Sequence, residues 1–310
     1  MTNYSIIQKR SIWLGASLAL FVMAVAAIIL WQFKLGIDFT GGSLLEVNFK
    51  GPRPTVTEVQ AKFTANNIGD LGSLVIQPIG EQGIALRFQD STELKHRAVL
   101  KALNDLALAK STDKKVTDLI EEVRFDSVGP SIGQELKSKA MSAVFWVFIG
   151  ILFYITYSFR KVSKPVASWK YGLAALVALG HDAIITLGVF AYLGHFKGME
   201  INTPFVAAIL TVIGYSVHDT IVVFDRVREN LPKSHDDFEG TVNLSLNQTL
   251  GRSLSTSFTV LLTLLAILFW GGDSIKPFAL ALTIGIAIGT YSSIFVASPL
   301  LVVWEKWGKK

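Results

Sequence analysis

Three long apolar stretches of this sequence are interrupted by side chains that can carry protons or charge. His181 and Asp182 interrupt one, His218 and Asp219 a second with Tyr215 and Ser216 a turn before the aspartate, and Arg252, Ser255, Thr256 and Ser257 open a third. A charged side chain at the centre of a bilayer costs ~2.5–3.5 kcal/mol even on lenient insertion scales, so such groups usually face a helix-bundle interior and mark ion paths or proton relays. A helical rise of ~1.5 Å per residue places Asp219 roughly 9 Å inside the face marked by Asp225 and Arg226, and Arg252 begins the next stretch from that same face. Burial disfavours an ionised carboxylate and a guanidinium favours it, so displacement of Arg252 would load a proton on Asp219. Two structural alternatives stand beside this: a static Asp219–Arg252 ion pair joining two helices, and Asp182 as a hydrogen-bonding group within a helix interface.

Other chemistries lack their residues. There is no GxxxxGK[ST] loop and no GxGxxG turn, so no nucleotide site is expected. His181 and His218 lie in separate stretches without the i, i+4 histidine spacing of zincins, and no metal is expected. Gly214-Tyr-Ser-Val-His-Asp219 does not supply the GxGD surrounding of an intramembrane aspartyl protease. The expectation is therefore no catalytic residue, no enzyme activity and no cofactor.

These groups have to be positioned by membrane helices. The 310-residue chain is 51% hydrophobic, 17% charged and free of cysteine, which argues against a water-soluble enzyme and excludes disulfides and thiolate metal sites. Six stretches reach the ~20 apolar residues that a bilayer requires: Ser11–Phe33, Met141–Phe159, Tyr171–Gly194, Ile201–Phe224, Ser253–Gly272 and Pro277–Trp304. The first is too long for a signal peptide and closes on the interfacial Trp31. The net charge of +5 reads as topology rather than nucleic-acid binding, because the basic residues sit in short connectors. Arg160, Lys161, Lys164 and Lys170, then Arg226, Arg228 and Lys233, then Lys306, Lys309 and Lys310 all fall on one side if both termini are cytoplasmic. Gly285 and Gly289 form a small-xxx-small surface for helix packing. Val242, Leu246 and Leu250 suggest an amphipathic helix at the cytoplasmic interface, where the glycosylation patterns at Asn243 and Asn247 are accidental matches.

The expected division is residues 1–33 as N-terminus and first span, 34–139 as a soluble domain outside the cytoplasm, 140–304 as a five-helix bundle with a cytoplasmic loop at 225–252, and 305–310 as a tail. In the soluble domain, Ser43–Lys50 alternates as a strand with Leu45, Val47 and Phe49 on one face, and Thr55–Asn66 follows Pro54 as a helix. Leu74–Ile79 and Ile84–Phe88 suggest a hairpin around Gly80–Gly83; Ser91–Ala109 follows a capping box at Asp90-Ser-Thr-Glu93; Leu119–Val128 reads as a last strand. The order βαββαβ predicts a ferredoxin-like α+β domain.

Several motifs resemble the SecF family. Gly36-Ile-Asp-Phe-Thr-Gly-Gly42, with Asp38 and Gly41 inside it, looks like the family's GLDFTGG signature. Val128-Gly-Pro-Ser-Ile-Gly133, with Gly129 and Pro130, looks like its VGPSxG element. The segments from His181 to Gly188, from Ile213 to Arg226 with Arg228-Glu-Asn230, from Gln248 to Arg252 and from Gly285 to Pro299 resemble the family's later helices in order. The resemblance implies half of an RND-superfamily transporter, a bacterial inner-membrane location, partnership with SecD and the SecYEG channel, a translocating preprotein as cargo and protons as the driving ion. It also implies proton transport by Asp219 and Arg252. His218 departs from the family's usual Asn and either adds a proton stop or replaces Asn as a neutral hydrogen-bonding group. An RND-type exporter of small molecules or lipids, and a brace of the channel without transport, are the competing functions.

Overall fold

The computed structural model describes residues 4–65, 71, 74–89, 92–110, 119–160, 166–272 and 274–307. The chain divides into two compact units, one of Met1–Lys34 with Ala140–Lys310 and the other of Leu35–Lys139. Asn66, Asp90, Ser91, Lys161, Lys164, Lys309 and Lys310, used in the expectations above, lie outside the described residues.

The Leu35–Lys139 unit is a sheet domain. After α1 (Arg10–Trp31) come α2 (Ile37–Thr40), β1 (Gly42–Phe49), α3 (Val56–Ala65), β2 (Val75–Ile79), β3 (Gly83–Phe88), α4 (Glu93–Lys110) and β4 (Ile120–Val128). The antiparallel sheet has the order β2-β3-β1-β4, with Leu45 opposite both Leu86 and Phe125. This is the split arrangement of a ferredoxin-like domain, in which the two helices connect strands that are not neighbours. Period-two alternation turns Leu45, Val47 and Phe49 inward, where they meet Ile84, Leu86 and Phe88 and the apolar stripes of α3 and α4, Val59, Phe63, Val99 and Leu103. A capping box does start a helix, at α3: Thr55 N donates to Glu58 Oε2 at 2.7 Å and Glu58 N to Thr55 Oγ1 at 3.3 Å.

The other unit contains the helices long and apolar enough to cross a membrane: the first, Ile7–Trp31, includes α1, followed by α5 (Pro130–Ser158), α6 (Ser168–Lys197), α7 (Thr203–Asn230), α8 (Phe238–Trp270) and a last stretch over Lys276–Trp307. That last stretch is α9 (Lys276–Ser292), a π-turn over Ser293–Ala297 and α10 (Ser298–Trp307). Asn202 caps α7, accepting from Phe205 N, and Asp237 caps α8, accepting from Gly240 N. Packing is closest where side chains are smallest. A Cβ on Gly188 of α6 would lie 2.6 Å from Ala24 Cα, and a Cβ on Gly285 of α9 would lie 2.3 Å from a Val212 methyl of α7.

One expectation is corrected here. The amphipathic helix around Val242 and the span expected from Ser253 are a single 33-residue helix, α8, because no proline interrupts the chain between Asp237 and Gly271. At ~1.5 Å per residue it is ~50 Å long, more than a ~30 Å hydrocarbon core. Its first turns carry the N-terminal segment: Asn243 Oδ1 accepts from the backbone N–H groups of Ile6 and Ile7, and Asn247 Oδ1 from Tyr4 N. Both asparagines of the glycosylation patterns are thus packing residues.

Candidate functional site in the helix bundle

Five elements, α6, α7, α8, α9 and the π-turn, bring their polar residues to one place. Asp219 on α7 is 7% exposed; its Oδ1 accepts from Ser253 Oγ of α8 at 2.6 Å and its Oδ2 from Ser293 Oγ of the π-turn at 2.5 Å. Asp182 on α6 is 1% exposed; its Oδ2 accepts from Ser216 Oγ of α7 at 2.6 Å and from Ser292 Oγ of α9 at 2.7 Å. Its Oδ1 lies 3.0 Å from Nδ1 of the buried His181. The close approach of α9 to α7 follows from glycine, since a Cβ on Gly289 would stand 2.8 Å from Ser216 Cβ. One helical turn from Asp219 toward the α7 N-terminus, Tyr215 Oη donates to Ser257 Oγ at 3.2 Å and Thr290 Oγ1 to the same atom at 2.6 Å.

Two of the expected site residues stand elsewhere. Arg252 is exposed, and Asp219 has no ion pair among the described residues. Successive helix residues are rotated by ~100°, so a helix that directs Ser253 at Asp219 directs Arg252 away from it. The Asp219–Arg252 pair expected from depth alone is absent in this conformation. His218 is also exposed, on the face of α7 opposite to the turn's interior residues Ser216 and Asp219. Sequence reasoning missed His181 as a partner of Asp182, and Ser253, Ser292 and Ser293 as partners of the carboxylates. The available signal was the Ser292-Ser293 doublet inside an apolar stretch, read only as part of a span.

In the sheet unit the two glycine signatures pack against each other. Gly36 precedes α2, whose first turn contains the half-buried Asp38, and Gly42 opens β1 opposite Val128 of β4. Gly41 and Gly42 adopt φ of +75° and +116°; a Cβ on Gly41 would stand 2.9 Å from Pro130 Cα and one on Gly42 2.8 Å from Phe88 O. Gly133 in turn faces Gly41 N, at 3.1 Å from where its Cβ would be. Gly129 has open space around it, and Pro130 starts α5 where its missing N–H costs nothing. The signature is a close-packed junction of backbone at the two ends of the sheet's central and edge strands.

Comparison with known proteins agrees with these features. Residues 108–307 match the family model of the protein export membrane protein SecD/SecF C-terminal region, and residues 32–52 match that of the SecD/SecF GG motif. The chain is 42% identical to the protein translocase subunit SecF of Thermobaculum terrenum, over 97% of this chain and 93% of that protein. It is 36% identical to the subunit of the same name from Synechocystis, over 96% and 93%. The crystal structure of SecDF, a translocon-associated membrane protein from Thermus thermophilus, superposes with a TM-score of 0.81 at 32% identity, covering 98% of this chain and 39% of that one. A SecDF structure in the super-membrane-facing form gives 0.69 at the same identity. Six membrane-length helices among the described residues, a glycine-signature sheet domain and 42% identity over nearly the full length together mean that the chain belongs to the SecF family of protein translocase subunits.

Proposed function

We propose that this chain works with SecD beside the SecYEG channel and uses the proton motive force to drive late steps of protein export across the bacterial cytoplasmic membrane. The observation that carries the reading is the setting of Asp219, a carboxylate buried among membrane-length helices and held by two neutral hydroxyls. Ser293 Oγ also lies 3.0 Å from the Thr290 carbonyl. A hydroxyl has one hydrogen and two lone pairs. When Asp219 is ionised, Ser293 donates to it; when Asp219 carries a proton, Ser293 can turn its hydrogen to Thr290 O and accept from the carboxyl. Both protonation states keep partners, as a carrier requires.

Arg252 enters as the alternating partner. A rotation of α8 that withdraws Ser253 brings the guanidinium of the preceding residue toward Asp219 and favours the ionised form, so proton release is coupled to helix movement. Asp182 is the second station of the relay, and His218, exposed on α7, acts from the opposite face of that helix. A membrane potential supplies ~2.3 kcal/mol per charge per 100 mV, enough to bias a two-state movement. Both termini lie in the cytoplasm, consistent with Arg160, Lys170, Arg226, Arg228, Lys233 and Lys306 on one side, and the Leu35–Lys139 unit lies outside it. There β2 and β4, the edge strands of the sheet among the described residues, offer backbone groups to an extended preprotein.

The test is export of a reporter precursor into energised vesicles that carry Asp219→Asn at matched expression. Loss of the gradient-dependent component with an intact complex is the expected result; export that stays fully gradient-dependent refutes the reading.

A further inference from the structure

His181 is 5% exposed, and its Nε2 is buried with no hydrogen-bond partner among the described residues. Its Nδ1 is 3.0 Å from Asp182 Oδ1. Asp182 Oδ2 is already occupied by two donors, Ser216 and Ser292, so the carboxylate acts here as an acceptor on both oxygens, which makes Nδ1 the protonated nitrogen of the imidazole. The unpartnered Nε2 is then a bare lone pair in the bundle interior. A buried polar atom without a partner is costly; Thr220 Oγ1 beside Asp219 shares that state, and Nε2 differs from it in carrying a basic lone pair that can take up a proton.

We propose that His181 is a further proton-binding group of this chain, loading at Nε2 with Asp182 as its paired carboxylate and coupled to Asp219 through the adjacent hydroxyls of Ser292 and Ser293. The inference rests on the proton-coupled reading above and adds a residue to it. In the loading step a new N–H bond forms at Nε2, the Nδ1–H bond stays, and the His181–Asp182 dyad passes from a net charge of −1 to an ion pair of net charge zero. In the release step the Nε2–H bond breaks and the dyad returns to −1. The charge on Asp182 thereby loses part of its hold on the Ser292 hydroxyl, which has a second acceptor in Gly289 O at 3.1 Å. Ser292 is bonded covalently to Ser293, the donor to Asp219, and the two residues straddle the junction of α9 with the π-turn, where the backbone register is already irregular. A shift of one serine is therefore transmitted to the other carboxylate.

The other titratable groups on elements packed against α6 are these. On α7 they are Asp219, Tyr215, bonded to Ser257, the exposed His218 and, in the last turns, the ion pairs Arg228–Asp225 and Arg226–Glu229; on α9 they are Lys276 in the first turn and Tyr291, bonded to Ser17 and to Trp13 O; on α5, which meets α6 at Gly172, they are the exposed Tyr154 and Tyr157 in the Ala140–Ser158 stretch. α1 carries none after Arg10 and the π-turn carries none. Glu305 and Lys306 of α10 lie toward the α6 N-terminus, where Lys170 Nζ meets Trp304 O.

The experiment is nitrogen-15 histidine NMR on the full chain, assembled with its SecD partner in lipid nanodiscs. The His181 signals are those that move in Asp182→Asn and vanish in His181→Gln. The expected result is that Nε2 passes from bare to protonated as the pH is lowered while Nδ1 stays protonated throughout. Ser293→Ala and Asp219→Asn are each expected to change the proton affinity of Nε2 roughly tenfold, as for directly coupled sites. An Nε2 that holds one protonation state across the range overturns the proposal, and so does a midpoint that is the same in both variants. If Asp219→Asn leaves export gradient-dependent, the proton-coupled reading itself fails; if it abolishes that dependence while Nε2 does not titrate, only the role of His181 fails.

Discussion

Ser292 and Ser293, neighbours in the chain, donate their hydroxyls to two different carboxylates, Asp182 on α6 and Asp219 on α7. Two consecutive side chains on a helix diverge by ~100°, so a doublet can serve two neighbouring helices only where the helix is wedged between them. The last span of this chain is so wedged, and it changes from α to π register at that doublet.

Removal of one hydroxyl leaves one carboxylate oxygen short of a donor. A hydrogen bond to a charged group contributes about 1.5–3 kcal/mol. Ser293→Ala is expected to lower the thermal stability of the purified complex by that order and to shift the pH dependence of gradient-driven export. Ser292→Ala should weaken stability similarly while acting through Asp182. Thermal unfolding in detergent and the export pH profile measure the two effects separately.

Ser253 and Arg252 should separate in their effects. Ser253 holds Asp219 in this conformation, so Ser253→Ala is expected to cost about 1.5–3 kcal/mol of folded stability. Arg252 is exposed, so Arg252→Ala should stay within about 0.5 kcal/mol in stability while gradient-driven export is lost. Equal loss of stability in both variants would mean that Arg252 already bears on Asp219 in the ground state.

Gly285 of α9 tests the packing that forms the site. A Cβ there stands 2.3 Å from a Val212 methyl, and forcing extra volume into a packed interface costs about 1–3 kcal/mol. Gly285→Ala is expected to lower the melting temperature by several degrees and to loosen Ser216 from Asp182. Gly285→Ala combined with Val212→Ala should recover most of the loss, because the clashing methyls are then gone.

In the sheet unit, Glu58 closes the α3 capping box and binds Lys110. The Lys110 ammonium, with Thr55, holds its carboxyl down from the ordinary 4.5 to about 2. Its folded value is depressed, so the contribution is complete above the unfolded value and is lost as pH falls from about 4.5 through about 2. Lys110→Ala should move the Glu58 midpoint back toward the usual carboxylate range, read by carbon-13 NMR of the side-chain carboxyl, and should narrow that acid-labile window.

Gly41 makes the signature junction sensitive to a single methyl. Its φ of +75° and the 2.9 Å approach to Pro130 both oppose a side chain, and a non-glycine residue in such a conformation costs about 1–3 kcal/mol. Gly41→Ala is expected to increase proteolysis of the β1–β4 edge in the intact chain, whereas Gly129→Ala, which has open space, should not.

Long apolar runs, a mixed-charge segment between the first two of them and glycine-rich signatures were enough to determine six membrane helices and a small sheet domain. These properties are local: hydrophobic length, strand alternation and glycine placement act within about 20 residues, and they read directly off the chain. The strand alternation of Leu45, Val47 and Phe49 is of this kind, and so is the presence of Asp182 and Asp219 in apolar surroundings. What the tertiary structure decided is which partners those carboxylates take. Residues from α6, α7, α8, α9 and the π-turn meet there, separated by up to 110 positions in the chain, and no local rule specifies helix rotation. A turn of ~100° on α8 separates Ser253 from Arg252, and depth estimated from the rise per residue is blind to that angle. Glycine-mediated contact of α9 with α7 sets the rotation, and with it which hydroxyls face Asp182 and Asp219.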